Sequence, residues 1–333
     1  QSNLEEYLKN IFGNKMSINE IKQFKGGQSN PTYMIITNQG DFVLRRQPPG
    51  KLLKSAHAVD REYRVITALS QTDVPVPRTY GYCDDEDVVG TKFFLMDHVK
   101  GNIYWELILP NLDEVARRDI YLSMNDTISK LHNVNFEKIN LGDYGKHENY
   151  MQRQIYRWTK QYKDSETQEI GEINELIDWL PKNIPLEEET SIVHGDFRLD
   201  NMIFDPETHQ VKAILDWELS TLGNPIADFT YHMMSWRLPA AAKGLGMLGA
   251  DLKSLNIPSE DEYSELYYKK TGRNKIENWD FYMAYNIFRL AGIAQGIVGR
   301  VRDGTASSSE AKNYEAFVPI LGKIGWDIVR GIK

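Results

Sequence analysis

The feature that most restricts how this chain can fold is the run SIVHGDFRLDNMIFD at residues 191–205, followed by AILDW at 213–217. Ser191 to Val193 form a short apolar run that stops abruptly at His194, Gly195 and Asp196, the pattern of a strand delivering a loop. Met202 to Phe204 and Val211 to Leu215 are β-rich and flank a turn containing Pro206, so they read as a hairpin. Such a hairpin brings Asn201 and Asp216 together at its open end, with Asp196 just ahead of them. Two oxygen side chains at adjoining strand ends suit Mg2+, which takes one or two carboxylates and fills its octahedron with water and phosphate oxygens. Solvated turn acids look alike one at a time. The ordered set of positions carries the reading.

The N-terminal part supplies a second pattern. Ile21 to Lys25, Tyr33 to Thr37 and Asp41 to Arg45 read as short strands, joined by a loop at 26–31 and a hairpin turn at 38–40. Gly26 and Gly27 let the backbone approach a ligand closely, and successive N–H groups there could form a nest for phosphates. Residues 56–70 place Val59, Tyr63, Ile66 and Leu69 at helical spacing, with Glu62 beside the apolar stripe. Residues 91–99 form an apolar strand running into Lys100 and Gly101.

Further on, residues 112–132 carry Ile120, Met124, Ile128 and Leu131 on one helix face. Asn224 and Pro225 read as the cap and first turn of a helix through His232, where Asp228 would favour the dipole. Residues 279–302 form a long helix stopped by Asp303 and Gly304.

At 333 residues the chain is long enough for two lobes, expected at 1–100 and 101–333 with Gly101 at the boundary. No apolar stretch is long enough to span a bilayer, and the first residues lack a secretory pattern. The single Cys83 excludes an internal disulfide and fits a reducing, cytoplasmic setting. A net charge of −8 argues against nucleic acid as a partner. Two stretches break the acidic balance: residues 149–163 hold Arg153, Arg157, Lys160 and Lys163, and 286–302 hold Arg289, Arg300 and Arg302, neither with an acid. Local positive fields of this kind suit a ligand carrying phosphate or carboxylate.

Transfer of a phosphoryl group from a nucleotide needs one carboxylate to orient a hydroxyl and take its proton, and two oxygen ligands for magnesium on the phosphates. Protein kinases write this as H-R-D-x-x-x-x-N followed by D-F-G. Here Gly195 replaces the Arg, and Asp216, Trp217 and Glu218 stand where D-F-G would be. In that variant the chain resembles the aminoglycoside phosphotransferase and choline kinase superfamily. It is closest to the phosphotransferase domain fused to certain acyl-CoA dehydrogenases, through GQSNPTY at 27–33, FVLRRQPPGKLL at 42–53, AHAVDREYR at 56–64 and WELSTLGNP at 217–225.

The resemblance implies an α+β, protein kinase-like two-lobed fold: a small antiparallel sheet plus helix, then a mostly helical lobe. It implies a kinase acting on a small-molecule hydroxyl, using ATP or GTP with Mg2+, as monomer or homodimer. Asp196 would be the catalytic base, and Asn201 and Asp216 the metal ligands. Gly26, Gly27, Gln28 and Ser29 would cover the phosphates. Arg45, where most kinases have Lys, would grip them, clamped by Glu62; Lys51 and Lys54 follow the Pro-Pro-Gly turn and are poorer substitutes. Met96, Asp97 and Val99 would meet adenine, while His194 and Asp228 would be structural. Arg153, Arg157 and Arg300 are the expected acceptor cations. The branch implies a hydroxyacyl-CoA acceptor and the superfamily's common name an aminoglycoside. The Arg at position 45 also leaves a non-catalytic nucleotide-binding module as an alternative.

Overall fold

The computed structural model describes residues 2–24, 30–50, 57–186, 189–240, 244–304 and 311–332. In chain order its regular elements are α1 (Ser2–Phe12), β1 (Ile18–Gln23), β2 (Thr32–Thr37), β3 (Gly40–Arg46), α2 (Val59–Leu69), β4 (Thr79–Cys83), α3 (Glu86–Val89), β5 (Phe93–Asp97), α4 (Glu114–Asn133), α5 (Tyr150–Ser165), α6 (Gly171–Trp179), β6 (Ser191–Val193), β7 (Met202–Phe204), β8 (Val211–Ile214), β9 (Thr221–Gly223), α7 (Pro225–Met233), α8 (Glu260–Thr271), α9 (Trp279–Arg302) and α10 (Ala311–Val329). They form two compact units. The first is Gln1–Ile103 with Val134–Gly142 and Leu199–Ser220, and the second is the remainder.

The first unit is built on an antiparallel sheet in the order β1-β2-β3-β5-β4. Alternate residues of β5 explain its place inside. Phe93 and Leu95 join Ile35, Phe42 and Leu44 in a core that Leu4 and Leu8 of α1 complete. Phe94 and Met96 are buried as well, with Tyr63 of α2 near Phe94 at 6.0 Å between rings. A strand apolar through four consecutive positions, as β5 is from Phe93 to Met96, is a strand covered on both faces there. The β7–β8 hairpin belongs to this unit: Asn102 and Phe204 exchange backbone hydrogen bonds at 2.8 Å, and Ile214 N–H donates to Pro75 O at 2.9 Å. Gly101 makes that approach possible, because a Cβ there would lie 2.4 Å from Phe204 O.

The second unit is mostly helical. Asn224 caps α7 by accepting from Ile226 N–H and Ala227 N–H, with Pro225 in the first turn. Phe229 of α7 stacks on Tyr267 of α8 with 3.8 Å between ring centres. β6 pairs antiparallel with β9, Val193 opposite Thr221. Among the described residues no helix is long and apolar enough to cross a membrane.

Several boundaries differ from the sequence reading, two of them by three residues. β1 runs Ile18–Gln23 rather than from Ile21, since only Ile18 is buried and the exposed remainder shows no alternation. The helix expected from residue 56 starts at Val59. The hairpin and α9 lie where the sequence placed them.

Candidate active site

In the first unit the site begins at Arg45, near the end of β3. Its partner Glu62 projects from α2 into the interior, 1% exposed, because it shares the helix face with Val59, Val65 and Ile66. Arg45 Nε lies 2.7 Å from Glu62 Oε2, a charge contact without an aligned N–H, and Nη2 donates to Asp216 Oδ1 at 2.6 Å. Glu218 stands 3.9 Å from the same Nη2. Burial works against the Arg45 charge, but the surrounding carboxylates Glu62, Asp216 and Glu218 prevail and hold the guanidinium above its usual range. Burial pushes the Glu62 carboxyl up to about 7, against the pull of Arg45, and Asp216 adds to the push.

Asn30, fully buried, completes this clamp. Its Nδ2 donates to Glu62 Oε1 at 2.7 Å, and its Oδ1 lies 3.0 Å from His57 Nδ1. Sequence reasoning passed over Asn30, because a polar residue after a glycine-rich loop gives no sign of burial.

The metal-ligand candidates sit at the open end of the hairpin. A 3-10 turn at Leu199–Asn201 leads into β7, and Leu215 N–H donates to Asn201 O at 2.8 Å. Asn201 and Asp216 therefore flank one end of the ladder. Asp216 holds φ 62° and ψ 58°, the left-handed region, which costs a non-glycine residue on the order of 1–2 kcal/mol. Strain of that kind persists where surrounding contacts over-determine it; here Arg45 supplies one.

Of the other sequence candidates in this unit, Met96 is buried in β5, opposite Val43 and Thr79. Asp97 accepts from the Tyr80 hydroxyl at 2.6 Å, and Val99 is half-buried beyond the strand. Gly26, Gly27, Gln28 and Ser29 lie outside the described residues, as do Lys51 and Lys54.

In the second unit β6 delivers the loop His194–Asp196. Asp228 of α7, buried, braces it: Oδ1 accepts from Gly195 N–H and Oδ2 from His194 N–H, both at 2.8 Å. His132 Nε2 lies 3.2 Å from Oδ2, and its Nδ1 lies 2.7 Å from the Tyr267 hydroxyl. A carboxylate can only accept, so Nε2 carries the proton and Nδ1 accepts from Tyr267. Burial pushes His132 below its ordinary value, against the pull of Asp228. Burial raises Asp228, yet His132 and the loop hold it below the usual carboxylate range.

Asp196 itself accepts from the Tyr231 hydroxyl at 2.7 Å, with Arg198 Nε at 3.8 Å, and its N–H donates to His194 Nδ1 at 3.2 Å. Tyr231 lies one helical turn after Asp228, so the spacing i, i+3 on α7 was a signal that could have singled it out.

The cations separate sharply. Arg289 is 7% exposed and donates from Nη2 to Gly195 O at 2.5 Å. Arg157 and Arg300 are exposed, and Arg302 pairs with Asp303. Arg153, half-buried, donates to Lys146 O and lines an open groove of about 630 Å³ with Lys146, His147, Glu148, Asn149, Gln152 and Tyr156.

A five-strand antiparallel unit with a buried cation–glutamate clamp, and a helical unit presenting a carboxylate on a braced loop, define a kinase-like two-lobed fold of the α+β class. The sequence matches the phosphotransferase enzyme family over residues 20–266, and the chain belongs to that family. It is 43% identical, over 98% of its length, to acyl-CoA dehydrogenase family member 10 from Mus musculus, of which it covers 31%. The chain spans about a third to two fifths of the length of the curated relatives it matches. A crystal structure from Ralstonia eutropha, provisionally called an aminoglycoside phosphotransferase, is 45% identical with a TM-score of 0.92, covering 100% of this chain and 98% of that one. An aminoglycoside phosphotransferase in ternary complex with AMP-PNP and hygromycin B shares the fold at 13% identity, with a TM-score of 0.62 over 98% of this chain and 99% of that one.

Proposed function

We propose that the chain transfers the γ-phosphoryl group of ATP to the hydroxyl of an anionic small molecule, of which a hydroxyacyl-CoA is the leading candidate. The observation that carries the reading is the pairing at the hairpin end, where Asn201 and Asp216 flank one ladder and Arg45, clamped by Glu62, reaches Asp216. An amide oxygen and a carboxylate are the hard oxygen donors Mg2+ prefers, and so small a set suits an ion that arrives with its phosphates. Bound there by Asn201 and Asp216, the ion would neutralise charge on the nucleotide phosphates.

The chain's own residues have separate roles. Arg45 grips phosphate oxygens bidentately, as a guanidinium does better than an ammonium. Residues Gly26 to Ser29 cover the phosphates, and the stretch Met96 to Val99 meets the base. Asp196, on the loop braced by Asp228, orients the acceptor hydroxyl and takes its proton as the oxygen bonds to phosphorus and the bond to ADP breaks. Positioning and charge neutralisation supply most of the acceleration in such a transfer.

The preference for an anion is motivated by the acid-free cationic stretches and by the acyl-CoA dehydrogenase name of the 43% identical relative. A cation-binding site for an aminoglycoside would want Asp and Glu instead, and repulsion of ammonium groups is itself a specificity device. The lobes at 1–100 and 101–333, the ATP preference over GTP and a cytoplasmic setting belong to the same reading.

A coupled assay of ADP release with hydroxyacyl-CoAs, amino alcohols, sugars and aminoglycosides tests it. Stimulation by hydroxyacyl-CoAs, abolished in Asp196→Asn, is the expected result. Stimulation by kanamycin-type compounds alone would restore the antibiotic-kinase reading. Asp216→Ala is expected to abolish Mg2+-dependent nucleotide binding, whereas Asp196→Ala spares it; equal loss in both contradicts the division of roles.

A further inference from the structure

Arg289 sits in the middle of α9, a helix whose other long side chains at that level are apolar or aromatic. Its Nη2 donates to Gly195 O at 2.5 Å, and its guanidinium carbon lies 4.4 Å from the centre of the Tyr231 ring and 5.4 Å from that of Trp158. Tyr231, itself buried, donates a hydrogen bond from its hydroxyl to Asp196 Oδ1 at 2.7 Å. Two helices therefore converge on one loop, α9 holding its carbonyl and α7 its carboxylate.

Packing alone does not call for this arrangement. A guanidinium is costly to bury, and apolar side chains of similar volume commonly replace buried charges without loss of stability. Here the cost is raised further, because Arg289 Nε, Tyr285 Oη and Trp158 Nε1 are buried without an aligned hydrogen-bond partner among the described residues. What the cation does gain is contact with two aromatic faces, which attract it most strongly where water is excluded. Its Gly195 contact also adds to the two N–H bonds that Asp228 makes from the other side of the same loop.

We infer that Tyr231 and Arg289 are positioning residues of the transfer reaction: Arg289 fixes the Gly195 carbonyl and the Tyr231 ring, and Tyr231 fixes the Asp196 carboxylate in the orientation that meets the acceptor. The inference rests on Asp196 as the base, and the two are separable by experiment. Neither residue is among the nucleotide-gripping candidates named above, so their effect is expected on turnover and not on nucleotide affinity.

The test is a double-mutant cycle on MgATP hydrolysis by the full chain without added acceptor. Tyr231→Phe removes one oxygen and keeps the ring against Arg289, so folding survives. It is expected to lower kcat about tenfold, the size of one hydrogen bond to a charged group, with KM and Kd for MgATP changed by less than about twofold. In an Asp196→Asn background the same change is expected to cost nothing more, because the residue acts through Asp196. Arg289→Lys keeps the charge and loses the fork and the stack, and is expected to lower kcat likewise with unchanged MgATP affinity. An equal fractional loss in both backgrounds would make Tyr231 merely structural and overturn the inference, as would a Tyr231→Phe enzyme with parental kcat while Asp196→Asn is slow. Parental hydrolysis by Asp196→Asn would instead strike at the assignment of the base.

Discussion

Replacing Asp228 with Ala removes the brace of the loop that carries Asp196, and the size of the effect follows from what is left behind. Two backbone N–H groups, of His194 and Gly195, lose acceptors at 2.8 Å, and His132 Nε2 loses one at 3.2 Å. All three donors are buried. A buried polar group left unmade costs about 1–3 kcal/mol, and partial relaxation or water entry returns some of it. The expected loss is therefore about 3–5 kcal/mol, a large share of the 5–15 kcal/mol that typically holds a domain together. Asp228→Asn keeps one oxygen but turns an amide donor toward a donor, and should fall between the two.

The pH dependence gives a second handle on the same residue. His132 is held below its ordinary 6.5 by burial, so its contribution is whole above about pH 6.5 and is lost as pH falls through the lower folded value. The Asp228 carboxyl, with its folded value below 3.8, contributes fully above about pH 3.8 and loses that contribution only at still lower pH. The parent should thus weaken in acid in two stages, and Asp228→Ala should lack the lower one. Urea unfolding followed by tryptophan fluorescence at pH 7.5 and 5 reads the first stage, and a series carried from about pH 4 down to about 2.5 reads the second. A Asp228→Ala variant within about 1 kcal/mol of the parent at pH 7.5 would mean the loop keeps its shape unaided, and the reasoning would be refuted.

Three further variants have expected outcomes. His232, buried against Tyr263, is pushed down to about 4 by burial; neutrality there adds about 3 kcal/mol above pH 6.5, lost as pH falls to 4, so a His232→Gln protein should show a shallower slope of stability over that window. Glu62→Gln should weaken MgATP binding about tenfold by loosening Arg45. Because the Glu62 carboxyl is raised to about 7, the parent also loses stability as pH rises from 4.5 to 7, and the Gln variant should lack that slope in urea titrations. Gly101→Ala places a Cβ 2.4 Å from Phe204 O and 2.5 Å from Ile203 Cγ2, an overpacking worth about 1–3 kcal/mol that calorimetry would read as a lower Tm.

The sequence by itself determined the parts governed by local rules. The hairpin at 202–214 was legible because β-rich runs flank a turn, and the end of α9 was legible because Asp303 and Gly304 mark its stop. The order of Asp196, Asn201 and Asp216 was legible because the proposed chemistry needs those side chains in a fixed sequence. Tertiary structure decided what depends on distant partners. Nothing near Arg45 announces that its fork reaches Asp216, 171 positions away, or that Glu62 rather than solvent faces it. Arg289 and Arg300 look alike in an acid-free helix, and only the packing of one helix face against Gly195 buries the first while the second stays exposed. Asn30 was silent because a buried polar side chain earns its place from the groups it satisfies, and those are set by the fold, not by its neighbours in the chain; Tyr231 carried only its i, i+3 spacing from Asp228 as a signal.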